Sequence, residues 1–272
     1  MSYLGRRCVR LLAGLSLLVG SAVHANYPGL EIDDPVVREC LARTLPEQGL
    51  RQKIRFDTYA HDELLSKSAA DLFWRRFDDG GSRLLIRLTA PPHNVGLALL
   101  AEEMADSSLR QDVTVYLPEL RVVRRLSGAA LSGSMFGTNF AYDDFVQLQG
   151  MLHQRSVTRL GDEIVNARAA YALEIVPQHP ESRYSRIVTL IDQAWCIVVR
   201  SRFYGRGGDA LLKELIVDPE SVREVAGRWI PHALVFTEID ESARTELVVD
   251  KVELDPELNP NLFTEAELRR GR

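Results

Sequence analysis

From Lys53 onward, apolar and polar positions alternate along the chain. Ile54, Phe56 and Thr58 alternate with Arg55, Asp57 and Tyr59, the pattern of a strand with one buried face. Ala69 to Phe77 and Arg83 to Thr89 are predicted as the next two strands, with Asp78-Asp79-Gly80-Gly81 as their turn; its glycines are free to take positive φ. Pro91-Pro92 ends the pair, because proline cannot donate to a ladder. Val95 to Glu102 and Asp112 to Leu117 follow as strands, separated by the polar run Asp106 to Gln111. Arg121 to Leu126 reads as a strand or a turn, and Ser127 to Asn139 as a long loop of small residues. In the second half, strands are predicted over Ala169 to Val176, Arg186 to Asp192, Cys196 to Tyr204 and Leu211 to Val217. Trp229 to Ile239 and Arg244 to Leu254 form a last hairpin, whose final strand sets Leu247, Val249 and Lys251 against Val248, Asp250 and Val252.

Helical spacing is confined to three places. Asp33 or Asp34 caps a short helix that carries Val36, Val37, Cys40, Leu41 and Leu45 and stops at Pro46. Tyr142 to Leu152 reads as a second, with Asp143 and Asp144 in the first turn, where the helix dipole favours acids. Phe263 to Arg270 adds one or two terminal turns beyond Pro256 and Pro260. Repeated hairpins and few helices argue for one antiparallel sheet. A sheet of about nine or ten strands curls strongly or closes. Its apolar face then needs a cover, for which the N-terminal helix and the central loop-helix are the candidates. The pattern therefore predicts a mainly β, incompletely closed antiparallel barrel with a helical plug.

Composition places this sheet in a soluble chain. The 272 residues are 46% hydrophobic and 26% charged, ordinary for a globular protein. A net charge of −5 argues against nucleic acid as a partner, since phosphate binding needs a basic field. The N-terminus reads as a signal peptide: Arg6, Arg7 and Arg10, an apolar run from Leu11 to Val23, and Val23-His24-Ala25 before a cleavage expected after Ala25. Residues 1–25 are then signal and 26–272 one mature domain of formal charge −8, expected in the periplasm. The mature chain keeps Cys40 and Cys196. A disulfide is permitted in such a compartment; two buried free thiols are the alternative.

The central stretch carries a resemblance. Tyr116-Leu117-Pro118, the paired Arg124-Arg125, the small-residue run through Gly133 to Gly137, and Phe140 to Asp144 are similar to the LolA-like family of outer-membrane lipoprotein-sorting-type proteins. Pro92 with Gly96 and Leu100, then Tyr184, Asp192, Phe203-Tyr204, Lys213, Thr245 and Phe263-Thr264 resemble further family positions, so the likeness runs from about Lys53 to Leu268. Cys196 departs from it, standing where an apolar or proline-containing turn is expected. The resemblance implies an open barrel with helices at its mouth. It also implies periplasmic carriage of a lipid or acylated cargo in an apolar cavity, with no catalysis and no cofactor. An inner-membrane transporter as partner and transient membrane contact go with that reading. The rival is a non-catalytic accessory protein docking to an envelope transporter of the RND type.

For individual residues two readings stand. Arg121, Arg124 and Arg125 either meet an anionic head group, which guanidinium forks suit, or pin the loop by pairing with Asp143 or Asp144; the second is favoured because paired charges commonly serve structure. Phe136, Phe140, Tyr142 and Phe145 either gate the cavity or anchor the loop, with Gly133 and Gly137 permitting motion. Inward-facing aliphatic residues either line an open cavity or fill a core. His61, His93, His153, His179 and His232 are scattered, with no short ligand spacing. Ser132-Gly133-Ser134 lacks the spacing of a nucleophile elbow, and no phosphate-binding glycine motif is present.

Overall fold

The computed structural model describes residues 34–104, 112–151, 155–177 and 180–270. The signal peptide with its cleavage after Ala25, Asp33, the polar run 106–111, Leu152, His153 and His179 lie outside the described residues. The strands are β1 (Gly49–Ala60), β2 (Glu63–Arg76), β3 (Ser82–Ala90), β4 (Ala98–Glu103), β5 (Asp112–Leu117), β6 (Val122–Leu126), β7 (Arg155–Val165), β8 (Arg168–Pro177), β9 (Tyr184–Asp192), β10 (Val198–Gly205), β11 (Leu211–Val217), β12 (Val222–Val225), β13 (Arg228–Pro231), β14 (Ala233–Glu238) and β15 (Ala243–Leu254). Three α-helices accompany them: α1 (Pro35–Ala42), α2 (Tyr142–Leu148) and α3 (Glu265–Arg270).

One antiparallel sheet of 13 strands takes the order β6-β5-β4-β3-β2-β1-β15-β14-β11-β10-β9-β8-β7, and β12–β13 is a separate hairpin. The sheet exceeds the nine or ten strands that the pattern predicts. It is two meanders joined where β15 pairs with β1. Its edges, β6 and β7, are consecutive in the chain, so the barrel stays open there and the connector between them carries α2.

Register shifts between strands set which residues face inward. In the β1–β15 pair Lys53 faces Lys251 and Ile54 faces Val249, leaving Asp250 unpaired. One extra residue reverses the alternation beyond it. Val252, not Lys251, therefore joins Leu247 and Val249 on the core side, with Lys251 exposed. A second irregularity lies at Arg159/Gly161 in β7. The β1–β2 turn is His61-Asp62, both with positive φ, the geometry that tight hairpins demand.

The core on the concave face gathers Ile54, Phe56, Leu72, Leu84, Ile86 and Leu99 with Phe140, Phe145 and Val146 of the connector. Both expected covers are in place. α1 is capped by Asp34, whose Oδ1 accepts from Val36 N at 2.9 Å and Val37 N at 3.1 Å, while Arg159 of β7 holds Oδ2 at 2.6 Å. α1 buries Val37 and Cys40, and Cys40 is disulfide-bonded to Cys196, with Cα atoms 5.1 Å apart. The departure of Cys196 from the family pattern is thus one half of a staple. A second, smaller core lies under α3, where Phe263 and Leu268 pack with Leu85, Leu100 and Tyr116. That is why β3 reads as the continuous apolar run Leu84-Leu85-Ile86: all three side chains are fully buried, in two different cores.

Candidate functional site

Under α1 and α2 the concave face is hollow. The cavity has a volume of about 270 Å³. Strands β1, β8, β9, β10, β11 and β15 supply its walls through side chains such as Ile54, Leu173, Ile191, Leu215 and Val249. The aliphatic residues inside this half of the sheet line an open space and do not fill it. Thr44 and Leu45 after α1, Gln147 and Gln149 at the end of α2, and Trp229 of the β12–β13 hairpin form the rim, all half-buried. Phe145, Phe203 and Phe236 close the inner end.

Behind that end the aromatic residues of the central stretch form one cluster. Phe140 stacks on Phe236 with centroids 4.4 Å apart, and meets Phe56 and Phe145 edge-on at 6.3 and 5.8 Å. Phe140 and Phe145 are fully buried, whereas Phe136 and Tyr142 form a half-buried edge-on pair at 6.0 Å. The loop that brings Phe140 in is tightly knotted: Met135 N donates to Phe140 O at 2.8 Å, and the tip at Phe136-Gly137 has positive φ at both residues. Gly137 serves that tip, and Gly133 has ordinary extended backbone.

A buried polar knot fixes the loop and α2 to the sheet. Asp144 Oδ2 accepts from Ala141 N at 2.9 Å, holding the first turn of α2, and lies 3.3 Å from Lys213 Nζ. Lys213 also donates to Asn139 O at 2.7 Å and has Glu238 at 3.8 Å. Asn139 is held a second time by Thr245, whose Oγ1 accepts from Asn139 N and donates to Asn139 Oδ1, both at 2.9 Å. Burial pushes the Asp144 carboxyl above its ordinary pKa, against the opposing pull of the Lys213 ammonium and the Ala141 N–H. The Tyr184 hydroxyl is turned toward the same carboxylate; burial and then the Asp144 charge raise its pKa, so it stays neutral. Asp144 Oδ1 and the Tyr184 hydroxyl are shut off from water, and neither meets hydrogen-bond geometry with another described group.

The structure separates the candidate residues into two places. Asp144, Phe140 and Phe145 converge at the inner end of the cavity, with Tyr142 and Asp143 on the first turn of α2. The arginines do not reach them. Arg121 and Arg124 are exposed at the β6 edge, and Arg125 pairs with Asp112 of the neighbouring β5. Asp144 takes Lys213 as its cation, which corrects the expectation of an arginine partner. The reason is topological: β6 is one edge of the sheet, and β11, which carries Lys213, lies on the far side of the join. Sequence reading gives Lys213, Tyr184 and Thr245 no role beyond that of family landmarks, and it gives Asn139 and Glu238 none beyond their places in a loop and a strand.

Residues 80–270 match a family model described as "-like: Uncharacterized protein". The chain belongs to this family. No curated protein matches it in sequence. Among solved structures it is similar to a proposed outer membrane lipoprotein-sorting protein domain from Vibrio parahaemolyticus, at 25% identity and a TM-score of 0.76 over 86% of this chain and 97% of that one. A DUF1329 family protein from Desulfovibrio piger aligns at 20% identity and a TM-score of 0.76, covering 86% of this chain and 96% of that one. A LolA superfamily protein from Nitrosomonas europaea aligns at 17% identity and a TM-score of 0.64, covering 85% and 97%. The fold is LolA-like. In this LolA-like chain the quoted landmarks Phe140, Asp144, Tyr184, Lys213 and Thr245 belong to one assembly, the anchorage of the plug beside the cavity. The disulfide suits an oxidising compartment and so an exported protein.

Proposed function

We propose that the protein is a non-catalytic periplasmic carrier, which holds a lipid or an acylated cargo in the cavity and passes it across the cell envelope. The observation that carries this reading is the apolar cavity of about 270 Å³ between the open sheet and its two helical covers. An apolar concave site of this kind gains about 0.8 kcal/mol for each methylene buried. About ten methylenes then supply about 8 kcal/mol before ordering costs, the scale of micromolar binding. The likeness to a domain of proposed lipoprotein sorting supports the class of cargo. Residues 26–272 act as one unit in this reading, exported by a signal peptide ending at Ala25.

Cargo enters past the half-buried Gln147, Gln149 and Trp229 of the lining, while the disulfide holds α1 to the turn between β9 and β10. The half-buried Phe136 and Tyr142 move with the loop, while Phe140 and Phe145 anchor it. Arg121 and Arg124, on the exposed β6 edge, face an anionic surface or an inner-membrane partner and not the cavity. The test is native mass spectrometry, with organic extraction, of protein purified from the periplasm without detergent. A defined lipid in near-stoichiometric amount is the expected result. A clean apo mass with no uptake of offered lipids would replace the carrier with an accessory protein docking to an envelope transporter.

A further inference from the structure

We infer that β6 is a docking edge for a partner protein, which adds to it, as a further strand, an extended segment of alternating apolar and acidic residues. The inference goes beyond the carrier reading and holds whether or not the cavity takes cargo. The state of the edge, its side chains and its charge carry it.

β6 ends the sheet and pairs with β5 alone. Among the described residues, no group bonds to the outer backbone edge of Val122–Leu126. Such an edge is a template for another strand. Natural edges are blunted by bulges, prolines, lysines or inward-pointing charges. β6 has no proline or lysine and keeps an unshifted register with β5 along its whole length. The other edge, β7, is broken by the irregularity at Arg159/Gly161.

The side chains fit one class of strand. Val122, Arg124 and Leu126 share one face, with Val123 and Arg125 on the other. Val123 packs on the small core under α3 and Leu126 on the main core, so the strand is held from both faces while its edge stays free. Leu120 is 69% and Val122 45% exposed, apolar area that a purely protective charged edge does not need. Arg125 is paired with Asp112. Arg121 and Arg124 are exposed and meet no carboxylate among the described residues. The chain as a whole carries a net charge of −5, so this edge is a local positive site on an acidic protein and steers an acidic partner to itself.

A strand with apolar residues beside Val122 and Leu126 and an acid beside Arg124 matches the edge. A second copy of the chain does not. Two β6 strands paired antiparallel about Arg124 set arginine against arginine, and like charges directly opposite are destabilising. β7 of a second copy fits no better, because its Asp162 and Glu163 already hold Arg159 and Arg202. An anionic bilayer would meet the arginines, but the edge amides and carbonyls that it dries would lack partners, which is costly. An acidic strand satisfies both.

The experiment uses the oxidised mature protein and a short blocked peptide in which valine and glutamate alternate along one face, with threonine on the other. Its comparators are the same peptide with lysine for glutamate, the acidic peptide N-methylated at alternate residues in each of the two phases, and phosphatidylglycerol vesicles. One short strand buries less than a standard interface, so a Kd of about 100 μM is expected for the acidic peptide by calorimetry. The lysine peptide and one N-methylated phase are expected to bind at least about tenfold more weakly, and the other phase to bind like the parent. Arg121→Glu/Arg124→Glu is expected to weaken the acidic peptide at least about tenfold at unchanged Tm. Hydrogen exchange is expected to slow on binding at Val122–Leu126 and not at Arg155–Val165. No binding of the acidic peptide at about 1 mM, equal binding of both N-methylated phases, or binding unmoved in the double variant overturns the inference. Vesicle binding that the double variant abolishes, with the peptide silent, would assign the edge to a bilayer instead. None of these readings depends on lipid in the cavity, so failure here and failure of the carrier reading are distinguished.

Discussion

Lys213 is the residue on which the plug depends. It is 2% exposed, and three groups converge on its ammonium. A buried pair gains little over a well-packed apolar pair, but removal of one partner strands the other charge. Lys213→Met is therefore expected to destabilise the protein by about 3–5 kcal/mol in urea unfolding, and the double variant Lys213→Met/Asp144→Leu to recover much of that loss. The pH dependence separates Asp144 from the ordinary acids. Its pKa is raised by burial, so its contribution is full below the unfolded value of about 4 and is lost as pH rises through the folded one. In Lys213→Met, without the opposing ammonium, stability is expected to fall more steeply from about pH 4 to pH 8 than in the parent. Asp192 has the opposite sign. Burial alone would raise it, yet hydrogen bonds from Arg168 and from the Trp195 and Ala194 N–H groups hold it below its ordinary value. Its contribution is present above about pH 4 and lost as pH falls through the depressed value. Asp192→Asn is expected to cost about 2 kcal/mol at neutral pH and to flatten the acid limb of the same urea profile. Lys213 was legible in part: it falls in phase with Leu215 and Val217, both buried on β11, so a polar residue on an apolar face marks a paired charge. Its partner was not legible, because 69 residues of sequence lie between Lys213 and Asp144.

At the scale of elements, legibility followed burial. Asp112 to Leu117 and Leu211 to Val217 coincide with β5 and β11, and Asp34, Pro35 and the apolar spacing placed α1. The first half of β2, Glu63 to Lys67, is exposed throughout, so it has no apolar face to produce a period-two signal. β7, an edge strand, buries Val157 alone, while its apolar Leu160 and Ile164 are exposed with Asp162, which blurs the period-two signal. Lys251 and Val252 were assigned to the wrong faces because a bulge at Asp250 leaves no mark in apolar periodicity. The staple on α1 was permitted by the compartment, but pairing required the fold. It spans 156 residues. Chain-entropy arguments give about 5 kcal/mol for closing a loop of that order. Cys40→Ser/Cys196→Ser is expected to lose a comparable amount at the urea midpoint, with thiol reagent lowering the parent to the same level and leaving the double variant unchanged.

Over the whole molecule, the open barrel and the cavity have one cause. The edges β6 and β7 are neighbours in sequence but do not pair, and their connector is folded across the concave face. Closing the sheet would leave that segment no place; keeping it open gives the plug its seat and leaves the hollow beneath α1 and α2. The alternation of residues indicated that a cover was needed and which segments supplied it. It could not indicate how much space the cover left, because Leu173, Ile175 and Leu215 look the same in a filled core as on a cavity wall. A bound chain would join the covers to the sheet, so binding must be linked to stability. A ligand that binds only the folded state adds RT ln(1 + [L]/Kd), about 2.7 kcal/mol at a hundredfold excess over Kd. For a domain of this size each kcal/mol moves Tm by about 2–4 °C. A lipid bound at that excess is therefore expected to raise Tm by about 5–10 °C in calorimetry. The rise should grow with the logarithm of ligand concentration and shrink in Leu215→Trp, whose larger side chain occupies the same space. A shift of equal size in that variant would place the stabilising ligand on the outer surface and separate stabilisation from the cavity.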